Sequence, residues 1–338
     1  MPFLFGADVS ALPVFEQHGA SYKRGGKAGD ALALFRQTGM NCFRLRLFVN
    51  PNHEGVVTND LDYTLALAKR VKASGAALML DLHYSDTWAD PGKQFKPAAW
   101  AQLPFDQLVR QVGDYTRDVL ARFAREGVTP EYIQIGNEIT NGLLWPDGRV
   151  EFNDGDTDPG PWERLARLLR AGIDAVPAGP GQPKVILQIE NPGKRDKCLW
   201  FFRHARRAGL RFDIIGVSYY PDWHGGTAGL RGTLDVLAAE FQRPVIVAEV
   251  AYPWKEDEQW ATRPNMDWPK TPEGQRQFLG EVVAAVRSVP GGLGRGVLYW
   301  HPEAVLTPGL SVWAGGSCGL FDDQGEMLPG ADFGRTAR

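Results

Sequence analysis

Two glutamates stand at the ends of short apolar segments, and their placement suggests acid–base chemistry on a sugar. Glu138 lies in YIQIGNEITNGLLW, directly after an apolar strand pattern, and the adjacent Asn137 could hold a substrate hydroxyl. Glu249 ends the apolar run PVIVAE, 111 residues further on. A lone loop glutamate is usually only solvated, but a pair at strand ends is what glycoside hydrolysis requires: one carboxyl protonates the leaving oxygen and the other meets the cationic sugar centre. We therefore predict that Glu138 and Glu249 are a catalytic pair.

A second group of polar side chains lies in or just after other apolar segments. Arg44 and Arg46 alternate with apolar residues in FRLRL, so in a strand both guanidiniums lie on the face opposite the apolar side chains. Either arginine could keep Glu249 ionised, because a nearby positive charge favours a carboxylate. Tyr219 or Tyr220 could donate a hydrogen bond to the same carboxylate, since both end the sixth apolar segment. The sequence leaves both choices open.

Short apolar segments alternate with amphipathic ones through most of the 338 residues. The predicted strands are residues 4–9, 42–48, 77–83, 132–137, 184–189, 213–219, 245–249 and 295–300. The predicted helices are residues 29–37, 61–72, 105–125, 161–175, 199–207, 230–240 and 272–289. Eight strands with intervening helices are typical of an α/β fold, the (β/α)8 TIM barrel, whose catalytic side chains come from several strand ends. We expect one such domain over residues 1–338. A doubly wound open sheet is the alternative, although no glycine-rich dinucleotide turn follows the first strand.

Composition and charge argue against several classes of partner. A formal net charge of −3 provides no basic field for nucleic acid or an anionic membrane. The basic residues Arg203, Arg206 and Arg207 cluster in a predicted helix, where a solvated face is the simpler interpretation. No apolar run approaches the roughly 20 residues of a membrane span. Eleven Trp and nine Tyr residues fit a sugar-binding cleft, because flat aromatic faces stack on pyranose rings, although we expect more than half of them in the core.

Cysteine usage and the N-terminus say little about the compartment. Cys42, Cys198 and Cys318 lie far apart without metal-type spacing, so we predict neither a disulfide framework nor a metal site from them. The N-terminal residues MPFLFGADVS show no basic leader followed by an apolar run, so no signal peptide is visible. The localisation stays open between an intracellular protein and one whose leader has been removed.

Several longer motifs resemble those of one enzyme family. They are GADVSALPVFE, FRLRLFVNP, LDLHYSDTWADPGKQ, IQIGNEITNGLLWP, IIGVSYYPDW, VIVAEVAYPW and LYWHPE, and they run from about Gly6 to Trp300. They resemble the endo-β-1,4-galactanases of glycoside hydrolase family 53, which belong to a clan of retaining (β/α)8 hydrolases. The resemblance implies cleavage of β-1,4-galactan, as in arabinogalactan and pectin side chains. We also expect a monomer without a redox cofactor.

The resemblance further implies roles for individual residues. Glu138, after the fourth strand, is implied as the acid/base, and Glu249, after the seventh, as the nucleophile. The residues implied to line the subsite where the bond is cut are Asn137, one of Arg44 and Arg46, His83, Tyr219 or Tyr220, and Trp300. Those implied to contact neighbouring sugars are Asp86, Trp88 and Trp145.

The chain departs from the family pattern in three places. His301 in LYWHPE stands where the family tends to have an acidic residue. Gln188 and Glu190 stand where a His and an Asp are expected. The loop KEDEQWATRPNMDWPK lacks the Asp-, Gly- and His-rich run with which some bacterial members bind calcium. Its acidic residues 256–258 could coordinate a hard cation such as calcium, although adjacent loop acids are usually solvated. We predict no other metal.

Other functions fit fewer of these features. A β-1,4-mannanase or another endoglycanase of the same clan is the nearest alternative, because cleft shape separates such substrates. A non-catalytic sugar-binding barrel would gain little from two desolvated carboxylates. A phosphate-handling aldolase would need a Lys at a strand end and a glycine-rich loop, and the sequence shows no convincing arrangement of either. A serine hydrolase would need a GxSxG motif, which does not surround the candidate serines. His83 beside Asp81 is more simply a hydrogen-bonding pocket histidine than a metal ligand.

Overall fold

Eight parallel strands close into a barrel within residues 1–335, the part of the chain that the computed structural model describes. Each strand pairs with its neighbours in chain order, and the eighth pairs with the first. The strands are β1 (Leu4–Asp8), β2 (Cys42–Leu47), β3 (Ala77–Leu82), β4 (Tyr132–Ile135), β5 (Lys184–Glu190), β6 (Ile214–Tyr219), β7 (Val245–Val250) and β8 (Gly294–Trp300). The predicted (β/α)8 TIM barrel is therefore confirmed, and the open sheet is wrong.

Helices occupy most connections between the strands. They are α1 (Leu12–Gln17), α2 (Ala31–Gln37), α3 (Leu61–Ala73), α4 (Phe105–Arg125), α5 (Gly160–Asp174), α6 (Arg195–Arg207), α7 (Pro221–His224), α8 (Thr227–Phe241) and α9 (Pro272–Arg287). At the starts of α2, α3 and α9, the side chains of Asp30, Asp60 and Thr271 accept a backbone N–H from the first turn, which satisfies a donor that the helix leaves free. Among the described residues, no helix is long and apolar enough to span a membrane.

Small hairpins and turns complete the chain outside the barrel. Two antiparallel hairpins pair Tyr22–Arg24 with Lys27–Gly29 and Gly142–Leu143 with Gly148–Arg149. After β8 the chain up to residue 335 forms no α-helix, only irregular segments and short 3₁₀ turns. The three cysteines are buried and free.

The two faces of the barrel strands pack into separate apolar clusters. The outward side chains join the main core under the helices. The inward side chains form a smaller layer that fills the barrel, consisting of Leu4, Cys42, Met79, Tyr132, Ile186, Ile214, Ile246, Ala248 and Leu298. Arg44 and Arg46 on β2 are fully buried and opposite the outward Phe43 and Leu45, as the alternation in FRLRL predicts. The barrel interior therefore has an apolar layer and, nearer the carboxyl ends of the strands, a polar layer.

A β-bulge on β7 reorients Glu249. Val217 pairs with Val247, but the next residue, Ser218, pairs with Glu249, so Ala248 is an extra residue on β7. Strict alternation would place Glu249 on the same face as Val247, which packs in the outer core. The extra residue instead turns the Glu249 carboxyl into the barrel, as bulges beside active sites commonly do.

Candidate active site

A cavity of about 770 Å³ opens at the carboxyl ends of the barrel strands. Both predicted catalytic residues, Glu138 and Glu249, lie in its wall. Six Phe, Tyr and Trp side chains also line it, namely Phe15, Trp88, Tyr220, Trp223, Trp300 and Trp313. The barrel therefore brings together two carboxylates from different strands and the aromatic surfaces that a sugar ring prefers.

Glu138 reaches the cavity through a left-handed turn after β4. Gly136 has φ +80° and Glu138 itself has φ +47°, in the region that favours glycine. A non-glycine residue in this conformation costs roughly 1–3 kcal/mol and persists mainly where the surroundings enforce it for function. Here the backbone N–H of Glu138 donates to Gln188 Oε1 at 2.8 Å, which holds the turn.

Arg44 is the centre of the charge network beneath the cavity. Its Nη2 lies 2.9 Å from Glu249 Oε1 and 2.7 Å from Asp81 Oδ2, and its Nη1 lies 2.8 Å from Asp8 Oδ2. Nη2 also donates to Asn137 Oδ1 at 2.7 Å. Burial opposes the charge on this guanidinium, but the three carboxylates outweigh burial and raise the pKa of Arg44. The arginine that contacts Glu249 is therefore Arg44.

Strand alternation decides between the two tyrosines. Ser218 points into the barrel, so Tyr219 points out: its hydroxyl donates to Gly225 O at 2.8 Å and its ring stacks on Phe278. Tyr220 points in again, and its hydroxyl donates to Glu249 Oε2 at 3.1 Å. Tyr219 therefore does not reach Glu249, and Tyr220 does.

The two glutamates experience unequal surroundings. Burial and then the neighbouring Glu249 raise the pKa of Glu138 well above its ordinary value. Burial raises the pKa of Glu249 as well; the Arg44 guanidinium and the Tyr220 hydroxyl lower it, whereas the Asp81 and Asp8 carboxylates add to the rise. The pKa of Glu138 is thus raised further than that of Glu249, which is the order that an acid and a nucleophile need.

Arg46 and His301 form the wall behind the aromatic residues. The Arg46 guanidinium carbon lies 4.2 Å from the centre of the Trp88 ring, and its Nη1 is 3.5 Å from His301 Nε2. Burial and the Arg46 charge lower the pKa of His301 to about 3, so the ring is neutral. Trp300 lies edge-on to Trp88, with ring centres 5.8 Å apart. The His that departs from the family pattern is therefore an uncharged part of the cavity wall.

Besides Arg44, Arg46 and Tyr219, three more predicted site residues lie outside the cavity wall. Asp86 accepts the backbone N–H groups of Asn50 and Ala98, so it fixes two loops. The indole N–H of Trp145 donates to Asn141 O, four residues back. His83 is fully buried beneath Trp88. Its Nε2 lies 2.9 Å from Asp81 Oδ2, and its Nδ1 accepts the N–H of Ala89. These side chains support the loops around the cavity rather than its surface.

Three buried polar side chains beneath the cavity are not apparent from the sequence, because each is one polar residue in an apolar strand. Asp8, Gln134 and Ser218 are fully buried and point into the barrel. Gln134 Nε2 donates to Asp81 Oδ1 at 2.6 Å, and Ser218 Oγ accepts from Gln188 Nε2 at 2.7 Å. The sequence pattern does contain a signal for them. Each occupies an inward position of its strand, where a buried polar side chain needs a hydrogen-bond partner.

Two acidic side chains of the loop after β7 have partners within the protein. Glu256 lies 3.4 Å from Lys270, and the Asp257 side chain accepts the backbone N–H of Gln259. Within residues 1–335, no three His, Cys, Asp or Glu side chains are grouped so that they could hold a metal ion.

Removing the Arg44 charge should destabilise the fold. Arg44→Met leaves Asp8, Asp81 and Glu249 buried without their cation, and breaking a buried ion pair in this way costs about 3–5 kcal/mol. Urea denaturation monitored by circular dichroism measures the loss. Arg203→Met, which removes an exposed partner of Glu240, is the control and should change stability by less than about 1 kcal/mol. Equal stability of Arg44→Met and wild type would contradict the network described here.

Comparison with known proteins identifies the family. The sequence model of glycosyl hydrolase family 53 matches residues 4–333. A probable arabinogalactan endo-beta-1,4-galactanase A of Aspergillus terreus is 38% identical over 328 residues, covering 93% of this chain and 88% of that protein. The GH53 catalytic domain of Ignisphaera aggregans superposes with a TM-score of 0.90 at 30% identity, covering 99% of this chain and 96% of that one. A structure from a study of two fungal beta-1,4-galactanases superposes with a TM-score of 0.86 at 31% identity and covers 99% of both chains. The chain therefore belongs to glycosyl hydrolase family 53 and is a glycosyl hydrolase.

Proposed function

We propose that the protein is a retaining endo-β-1,4-galactanase, with Glu249 as nucleophile and Glu138 as acid/base. The observation that carries the proposal is the unequal setting of two carboxyls in one cavity. Arg44 and Tyr220 hold the Glu249 carboxylate, whereas Glu138 faces Glu249 without a cation of its own among its main electrostatic neighbours. This asymmetry matches the two roles in double displacement.

The reaction proceeds in two balanced steps. Glu249 attacks the anomeric carbon and forms a covalent glycosyl ester while the glycosidic C–O bond breaks and Glu138 protonates the departing oxygen. Glu138, now a carboxylate, then removes a proton from water, which attacks the same carbon and releases the Glu249 carboxylate. Two inversions at the anomeric carbon give net retention of configuration.

Neighbouring side chains position the nucleophile and the sugar. Arg44 and Tyr220 orient Glu249 through contacts of 2.9 and 3.1 Å. Asn137 donates one amide proton to Ala89 O at 2.8 Å, which leaves its second proton for a sugar hydroxyl in the cavity. Trp300 and Trp88 offer ring surfaces to the bound sugar.

Galactan is the substrate that the relatives favour. Relatives at 34–38% sequence identity are named arabinogalactan endo-beta-1,4-galactanases, and this chain covers most of their length. Galactan differs from mannan and glucan in its axial O4, which bends the polymer, so the shape of the cleft selects it. Trp223 and Trp313 are 65% and 39% exposed at the cavity and extend its aromatic surface beyond the glutamates. We propose β-1,4-galactan of pectin side chains as the polymer bound there by a monomeric enzyme.

Release of reducing sugar from unbranched β-1,4-galactan tests this function. The same assay with β-1,4-mannan and carboxymethyl cellulose serves as the comparison. Activity on galactan alone supports the proposal, whereas activity on mannan in place of galactan would assign the chain to a different endoglycanase. Binding of galactan without turnover would identify a non-catalytic sugar-binding barrel and overturn the catalytic proposal.

The pH dependence of kcat/KM should be bell-shaped, with the alkaline side set by Glu138. Activity rises as Glu249 ionises, and it falls as Glu138 loses its proton. Burial raises the pKa of both glutamates above the ordinary glutamate value of 4.5, and that of Glu138 well above it. The pH range of activity therefore lies between the pKa of Glu249 and the higher pKa of Glu138. The two values belong to the interacting pair. With an activated aryl β-galactoside, which needs no acid, Glu138→Gln should remove the alkaline limb; persistence of that limb would contradict the assignment.

A further inference from the structure

Gln188 on β5 is a fully buried amide at the mouth of the barrel. Its neighbour on β6 is Gly216, where an added Cβ would lie 3.2 Å from both Cβ and Cγ of Gln188. Such a contact is tighter than ordinary packing, so the glycine makes room for the glutamine side chain. The motif resemblance led to the expectation of a His at this position. The amide differs from an imidazole because it carries no charge at any pH.

Four hydrogen bonds use every donor and acceptor of this amide. Gln188 Oε1 accepts the backbone N–H of Glu138 at 2.8 Å and Nε2 of Gln134 at 2.9 Å. Gln188 Nε2 donates to Ser218 Oγ at 2.7 Å and to Glu249 Oε1 at 3.1 Å. Because a backbone N–H can only donate, the bond from Glu138 fixes which end of the amide is the oxygen. Nε2 therefore faces the Glu249 carboxylate.

The amide touches both glutamates, by two different routes. It contacts the Glu249 carboxylate directly and Glu138 through the backbone. A third connection runs through Ser218, whose hydroxyl oxygen accepts from Gln188 and whose side chain lowers the pKa of Glu138, in opposition to burial and to Glu249. A single uncharged group thus links the carboxyl that must ionise to the one that must stay protonated.

We propose that Gln188 is a positioning residue for hydrolysis: its amide stabilises the ionised form of Glu249 and fixes the strained backbone that carries Glu138. This inference rests on the proposed function, in which these glutamates are nucleophile and acid/base. Arg44 supplies the charge that Glu249 needs, and Gln188 adds a directed hydrogen bond that does not titrate. An imidazole at this place would change charge between about pH 5 and 8, next to the nucleophile.

Replacing the amide should move the acid limb of the pH profile. Gln188→Met keeps most of the side-chain volume and removes the hydrogen bond to ionised Glu249, which disfavours the carboxylate and raises the pKa of Glu249. The acid limb of kcat/KM should therefore move to higher pH, by about one pH unit. Losing a hydrogen bond to a charged group should lower kcat by about 10- to 100-fold. KM should change less than about threefold, because Gln188 is not a substrate contact.

Two further variants separate positioning from structural damage. Gln275→Met is the matched control: Gln275 is equally buried, and its Nε2 donates to Tyr252 O and Gly319 O rather than to either glutamate. It should retain the wild-type pH profile even if it lowers stability. Gln188→Glu is nearly isosteric, and once ionised it can only accept hydrogen bonds and repels Glu249. It should move the acid limb in the same direction as Gln188→Met.

Titration of the glutamate carboxyls by ¹³C NMR tests the inference without turnover. Signals are assigned with Glu138→Gln and Glu249→Gln, and the Glu249 titration is compared between wild type and the Gln188 variants. A Glu249 midpoint that rises in both Gln188 variants, but not in Gln275→Met, supports the inference. A wild-type midpoint together with an unmoved acid limb overturns it. If wild-type protein cleaves none of the glycans, the proposed function fails, and the same midpoints still support or overturn the role of Gln188.

Discussion

Glu249→Ala should abolish turnover of β-1,4-galactan while the protein stays folded. Without its nucleophile the enzyme cannot form the glycosyl ester, and kcat should fall by about 10⁴-fold or more, the scale on which enzymes lose activity with their nucleophile. Initial rates of reducing-sugar release measure the loss. Glu131→Ala is the control, because Glu131 is exposed and precedes β4 at the opposite end of the barrel; its kcat should match wild type.

Added azide makes this prediction stereochemically specific. In Glu249→Ala the small anion can enter the space of the lost carboxylate and attack an activated aryl β-galactoside from the face that Glu249 used. The product should be the α-galactosyl azide, identified by its anomeric proton coupling in NMR. A β-configured azide or near-wild-type turnover of galactan would contradict the role of Glu249 as nucleophile.

Glu138→Ala should lower kcat on galactan by about 10²- to 10⁴-fold, the usual contribution of a general acid–base residue. An aryl β-galactoside with a good leaving group needs no proton for the first step, so its glycosyl ester should still form and accumulate as a burst. Azide should then attack this ester and give the β-galactosyl azide, the opposite anomer from that of Glu249→Ala. Stopped-flow absorbance measures the burst of the aryl leaving group, and NMR identifies the anomer of the azide product.

The two azide products distinguish the assignment from its reverse. Exchange of the roles of Glu138 and Glu249 would exchange the anomers, and an inverting enzyme would form no glycosyl ester in either variant. A loss of equal size in both variants without any azide product would mean that the carboxyls only support the structure. The matched folding control is the circular dichroism spectrum of each variant.

The sequence could predict the barrel because its signals are local. Each strand is a short apolar run, and each long helix an amphipathic stretch, so their ends were placed within a few residues from the pattern alone. The position of Glu138 and Glu249 at the cavity could be predicted for the same reason, because each is a carboxylate at the end of an apolar segment. The arginines of FRLRL were placed on the inward face by the two-residue period of a strand.

Choices between neighbouring residues depended on contacts that no local pattern contains. Tyr220 rather than Tyr219, and Arg44 rather than Arg46, contacts Glu249 because of the register of three strands around one carboxylate. Trp145, predicted to contact a neighbouring sugar, lies outside the cavity wall, and its indole N–H donates to a carbonyl four residues away. Sequence order alone does not say which partners a loop side chain will find.

The sequence by itself determined the fold class and the location of two carboxyls at strand ends, since burial periodicity and strand-end position are properties of short segments. Only the tertiary structure decided how these carboxyls are made unequal. The bulge at Ala248 turns Glu249 inward. The amide of Gln188 on β5 contacts Glu249 on β7, 61 residues further along the chain, and also the backbone N–H of Glu138 in the turn after β4. Hydrogen bonds and charges act through space over a few ångströms, so their effect on each pKa exists only once the barrel closes.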